Sequence, residues 1–178
     1  MLYLEQWGAT TMDWPSLTFR SPKIYTDWQV LSDLISQMKK RQRIVLVKGV
    51  YDLLHIGHYY SFLNAKAFGD VLVVAVSDDD AVKVRKGSCR PILAIEERLP
   101  LIAALDCVDL VTVYRSVSPY SMVLQLLPNV FAASHFSFLT LAEQEDLTTR
   151  LQLQLVPKFG SVSTSSIIDR IKGTHCHA

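Results

Sequence analysis

Two uninterrupted apolar runs, Ile44 to Val47 and Val71 to Val76, constrain this chain more than any other feature. A strand buried on both faces reads as a continuous apolar run, whereas a strand with one wet face alternates. Between the runs, residues Gly57 to Phe68 place Phe62, Leu63 and Ala67 on one side of a helix. Strand, helix, strand in this pattern predicts parallel pairing through a right-handed crossover. The first strand is predicted over Ile44–Val50.

The rest of the chain continues the alternation. A helix over Thr26–Lys40, capped by Thr26 or Asp27, puts Val30, Leu31, Leu34, Ile35 and Met38 on one face. Beyond the second strand come a helix at Glu96–Leu105 and a strand at Val108–Tyr114. A helix at Ser118–Leu127 follows, opened by Pro119, and then a strand at Asn129–Ala133. Last come a helix at Thr140–Arg150, a strand at Gln152–Val156 and a helix at Ser163–Lys172. The expected fold is α/β: a doubly wound, Rossmann-like, five-stranded parallel sheet with helices on both faces. Such sheets bind ligands beyond the strand C-termini, where the strand order reverses. With 178 residues there is length for one sizeable core, expected over residues 24–178. Residues 1–23 form an extension in which Trp7, Trp14 and Phe19 suit a packed arm or a dimer contact.

Composition narrows the partners. The net charge of +1 gives no bulk attraction to nucleic acid or to a membrane surface. No apolar run is long enough to span a bilayer, and the early Glu5 does not fit a secretory leader. Cys89, Cys107 and Cys176 are odd in number and lack framework spacing, so reduced thiols and a cytoplasmic setting are expected. His175-Cys176-His177 reads as a terminal tail rather than a metal site.

The junction after the first strand carries the chemistry. His55 and His58 sit at a helix start, three residues apart, so both imidazoles can point at one object. Free N–H groups and the positive dipole end favour an anion there, and Gly57 lets it approach closely. Ser77-Asp78-Asp79-Asp80 reads as a solvated loop and helix cap, because three adjacent carboxylates cannot all face one ion. Lys83 to Pro91 holds four cations broken by Gly87 and Pro91, which suits a basic loop over a polyphosphate or a solvated face. Arg98 stands in a helix first turn, against the dipole, and so calls for a carboxylate or phosphate partner. Gly160 to Ile168 packs five hydroxyls before an apolar helix, either an over-supplied cap or a second phosphate seat. Neither G-x-G-x-x-G nor G-x-x-x-x-G-K-[ST] occurs.

Gly49-Val50-Tyr51-Asp52-Leu53-Leu54-His55-Ile56-Gly57-His58 resembles the signature of the cytidylyltransferase-like nucleotidyltransferases. Ser163-Thr164-Ser165 is similar to that superfamily's Ser-Thr-Thr run. Lys86 to Pro91, Glu97-Arg98 and Ala103 to Asp109 look closest to the adenylyltransferase domain that makes ADP-heptose. Where that domain has a Val-Lys-Gly-Gly-Asp-like stretch, this chain reads Phe131-Ala132-Ala133-Ser134-His135. The resemblance implies nucleotidyl transfer from ATP or CTP to a phosphorylated small molecule, with Mg²⁺ carried by the phosphates and no protein metal ligands. It implies His55, His58 and Lys86 as catalytic residues. It implies Val50, Tyr51, Gly57, Lys83, Ser163 and Thr164 for the nucleotide, and Asp52, Arg90 and Arg98 for the acceptor. A homodimer is expected from the superfamily. Rival expectations are a cytidylyltransferase acting on an alcohol phosphate, and a nucleotide-binding protein without turnover.

Overall fold

The computed structural model describes residues 21–157 and 160–173. The arm tryptophans, Trp7 and Trp14, with Phe19, His175, Cys176 and His177, lie outside those residues. The elements run β1 (Ile24–Tyr25), α1 (Trp28–Met38), β2 (Ile44–Gly49), α2 (Ile56–Lys66), β3 (Val71–Ser77) and α3 (Asp79–Lys86). They continue as α4 (Ile95–Ala103), β4 (Leu110–Tyr114), α5 (Tyr120–Leu126), β5 (Val130–Ala133), α6 (Leu141–Thr148), β6 (Gln152–Leu155) and α7 (Thr164–Gly173).

All pairings are parallel, in the order β1-β4-β3-β2-β5-β6. The sheet thus has six strands where five were expected. The extra one, Ile24–Tyr25, is two residues long and pairs only with β4. A strand that short carries no period to read. The expected helices on both faces are present. On one face, Val45 and Val47 of β2 and Leu72 and Val74 of β3 pack with Phe62 of α2 and Leu99 and Ile102 of α4. On the other, Ile44, Leu46, Val73 and Phe131 meet Leu31 and Ile35 of α1 and Met122 and Leu126 of α5. The chain winds from β2 outward through β3 and β4, then crosses back to add β5 and β6. The switch point therefore lies between the C-terminal ends of β2 and β5.

The segment expected as a solvated loop and helix cap followed by a basic loop contains a helix, with the expected cap at its start. Asp78 caps α3 by accepting from Ala81 N at 2.9 Å. Asp79 and Asp80 occupy its first turn, and Lys83, Arg85 and Lys86 its last. Each sign sits at the end of the dipole it stabilises. Lys83 is thereby turned outward, ion-paired with Asp80 at 3.0 Å.

Candidate active site

β2 ends at Lys48-Gly49, and the chain then turns sharply. Tyr51 adopts a left-handed φ of 52°. Its ring folds back over Gly49, where a Cβ would lie 2.5 Å from the ring carbon Cζ. Glycine is required there because no side chain fits beneath that ring. Tyr51 meets Phe62 at 5.0 Å and His58 edge-on at 5.2 Å. Burial raises its hydroxyl far above the usual phenol range, so it stays protonated.

His55 caps α2: its Nδ1 accepts from Gly57 N at 3.1 Å. An accepting Nδ1 leaves the proton on Nε2, so the outer edge of the ring donates. His55 and His58 stack with centroids 3.8 Å apart and planes 24° from parallel. His58 is lowered to about 4, first by burial, then by His55 and Lys86. Burial also lowers His55. At neutral pH both rings are therefore uncharged donors facing one space.

The second hydroxyl-rich segment arrives at the same place. A Cβ on Gly57 would lie 3.4 Å from the Val162 carbonyl oxygen, so the start of α2 and the turn before α7 are in contact range. Together they wall a cleft of about 510 Å³. Val50, Tyr51, His55, Gly57, His58, Ser163 and Thr164 all line it, as does Lys86 at the end of α3. Ser163 also acts as the cap of α7: Ser166 N donates to Ser163 Oγ at 3.0 Å, and Ser163 N donates to Ser166 Oγ at 2.9 Å. The capping reading of the hydroxyl run is thus borne out. Ser163 and Ser166 cap the helix, while Ser161, Thr164 and Ser165 also face the cleft. Lys86 is lowered by burial first and then by Arg90 and Arg85, with Asp52 opposing.

Four expected ligands do not line this cleft. Lys83 points away with Asp80. Asp52 is 1% exposed and accepts from Ile92 N at 2.7 Å and Leu93 N at 2.9 Å. Arg90 pairs with it at 2.7 Å, so the two fasten the segment after α3 to the end of β2. Arg98 is fully buried. It donates to Leu93 O at 2.9 Å, Val50 O at 2.5 Å and Ser77 O at 2.9 Å, and pairs with Asp79 at 2.5 Å. Its required partner is thus a carboxylate rather than a phosphate. Arg98 clamps the ends of β2 and β3 beneath the site. Sequence reasoning gave no role to Lys48, Ser61 or Ser134, which line the cleft. For Lys48 the signal was present, as the one charge in an otherwise apolar strand.

Stacked imidazoles at one helix start and hydroxyls at another share a cleft above the switch point of a parallel sheet, where α/β domains bind their ligands. The chain belongs to the cytidylyltransferase-like family, whose model matches residues 46–170, and with it to the nucleotidyltransferases. The bifunctional protein HldE of Helicobacter pylori strain J99 is 35% identical over 139 residues, covering 77% of this chain and 29% of that protein. HldE of Geobacter sulfurreducens is 38% identical over 102 residues, covering 57% of this chain and 21% of that protein. The chain thus spans less than a third of these relatives' length. A lipopolysaccharide core biosynthesis protein from Thermoplasma volcanium superposes with a TM-score of 0.58 at 26% identity, over 67% of this chain and 99% of that one. Pantoate-beta-alanine ligase from Francisella tularensis, complexed with beta-gamma ATP and beta-alanine, shares the fold at 15% identity and a TM-score of 0.55, over 84% of this chain and 76% of that one.

Proposed function

We propose that this domain transfers AMP from ATP to a sugar 1-phosphate of the heptose 1-phosphate class and releases pyrophosphate. One observation carries the reading: the starts of α2 and α7, at Ile56 and Thr164 and so far apart in sequence, share one cleft at the switch point. The likeness to HldE and to a lipopolysaccharide core biosynthesis protein supports the sugar phosphate.

An oxygen of the acceptor's phosphate attacks the α-phosphorus. The bond from that phosphorus to the bridging oxygen breaks, and pyrophosphate departs with the electron pair. No protein nucleophile is needed, so catalysis is positioning and charge stabilisation. His55 and His58 donate to the triphosphate and follow its charge toward the leaving group. Thr164 and the free N–H groups of α7 hold the outer phosphates, and Lys86 neutralises the α-phosphate. Val50, Tyr51 and Gly57 shape the floor against which the nucleotide lies. Among the described residues, the cleft lining offers imidazoles, hydroxyls and amines but no carboxylate. That donor set does not fit a protein-held Mg²⁺, which prefers carboxylates and phosphates. Any Mg²⁺ would arrive on the triphosphate.

The nucleotide and acceptor are tested by pyrophosphate release. ATP with heptose 1-phosphate is expected to outpace CTP with glycerol 3-phosphate by about tenfold or more, a discrimination within reach of specific polar contacts. Faster release from CTP selects the cytidylyltransferase reading. The Ala132-Ala133-Ser134 end of β5 favours a second reading, nucleotide binding without turnover. Nucleotide binding with no pyrophosphate from any acceptor selects that one.

A further inference from the structure

Lys48 is the second primary amine lining the cleft, and the mechanism above leaves it without a task. Its position differs from that of the histidines. Val45 and Val47 of β2 join the core cluster that contains Phe62 and Ala65 of α2. Ile44 and Leu46 join the cluster on the opposite face. Lys48 continues the alternation of Ile44 and Leu46, so its side chain leaves β2 on the face away from the histidine helix. Its ammonium lies 3.4 Å from the centre of the Phe138 ring, which packs against that second cluster. Because Val47 pairs with Ala132, Lys48 stands abreast of Ala133 and has small neighbours on the β5 side.

The ammonium is largely desolvated. Among the described residues, no carboxylate forms an ion pair with it. The charges acting on it are cations, Arg85 and Lys86, which add to burial in lowering it to about 8. Arg85 is itself engaged, donating to Ala81 O at 3.2 Å and to the Ser77 hydroxyl. Lys86 also acts on His58. Lys48 and His58 thus leave the sheet on opposite faces, and both line the cleft with Lys86. A desolvated cation over an aromatic face is completed by an anion, and among the described residues no side chain supplies one, so a ligand's anion fits the site.

In-line displacement sets entering and leaving oxygens on opposite sides of the reacting phosphorus. The triphosphate occupies the histidine and hydroxyl side, with its α-phosphate at Lys86. We propose that Lys48 seats the phosphate of the acceptor, on the face of β2 away from the histidines. This rests on the nucleotidyl-transfer reading above.

The test is calorimetry on the full chain. α,β-Methylene ATP is titrated first, then heptose 1-phosphate or glycerol 3-phosphate into the nucleotide-loaded protein. Lys48→Met is expected to bind the nucleotide within about threefold of the unsubstituted protein. It is expected to lose the phosphate probe by about tenfold or more, the loss typical of a charged hydrogen bond. Lys48→Arg, which keeps the charge, should recover most of that loss. Lys48→Gln carries the same test should the methionine variant melt early. Unchanged probe affinity in both neutral variants overturns the proposal, as does a loss of nucleotide affinity as large as the loss of probe. Nucleotide-loaded protein that binds neither probe also overturns it. Failure of the unsubstituted protein to bind nucleotide at all refutes nucleotidyl transfer itself, a separate outcome.

Discussion

His58→Ala is expected to lower kcat by about a hundredfold or more while the protein stays folded, the loss typical of one transition-state donor. The ring is packed between Tyr51 at 5.2 Å and His55 at 3.8 Å and lines the cleft. Its neutral state suits a donor that must not hold the triphosphate too tightly before transfer. Alanine is a good helix former at this position in α2, so the melting temperature should stay near that of the unsubstituted protein. Pyrophosphate release and a thermal melt separate the two effects. The same variant carries a pH signature. An unfolded imidazole titrates near 6.5 and the folded one near 4, so the unfolded chain takes up the extra proton on acidification. His58 thus carries no charge-linked penalty above 6.5, and the fold loses stability through it as the pH falls toward 4. Denaturant melts across that window should show a shallower decline for His58→Ala. Full turnover in the variant would remove His58 from the mechanism.

Arg98→Met is expected to act in the opposite way, on stability. It strips the donors from three backbone carbonyls and leaves Asp79 without its cation. Removing one partner of a buried ion pair costs about 3–5 kcal/mol. For a domain of this size that is a fall in melting temperature of about 6–20 °C. Arg98→Lys keeps the charge but not the fork of donors, so it should recover only part of the loss. If Arg98 were an acceptor ligand, the methionine variant would melt normally and bind the acceptor weakly. An unchanged melting temperature would contradict the structural role.

These two residues show what the sequence could and could not disclose. The sheet was legible because β2 and β3 are buried on both faces and wrote continuous apolar runs. The histidine turn was legible because its spacing matches a helix face. Arg98 was legible in part: a cation in the first turn of α4 needed a partner, but its sequence neighbours could not say whether that partner came from β2, β3 or a ligand. The pairing of Asp52 with Arg90 was not legible for the same reason. They form an ion pair across 38 residues of chain, and such pairing is invisible until the fold brings them together. The α3 helix was hidden behind its own charges. Three aspartates followed by three cations resemble a loop in composition, and only their order along a dipole identifies a short helix. Lys48 was passed over because it lay within the strand that defined the sheet.

The central claim is that one triphosphate is held by both helix starts. The most direct measurement is a crystal structure of the protein with α,β-methylene ATP. The expected result places phosphate oxygens within hydrogen-bond distance of His55 or His58 and also of Thr164 or the leading N–H groups of α7. A nucleotide whose phosphates touch only one of these two groups would contradict the account.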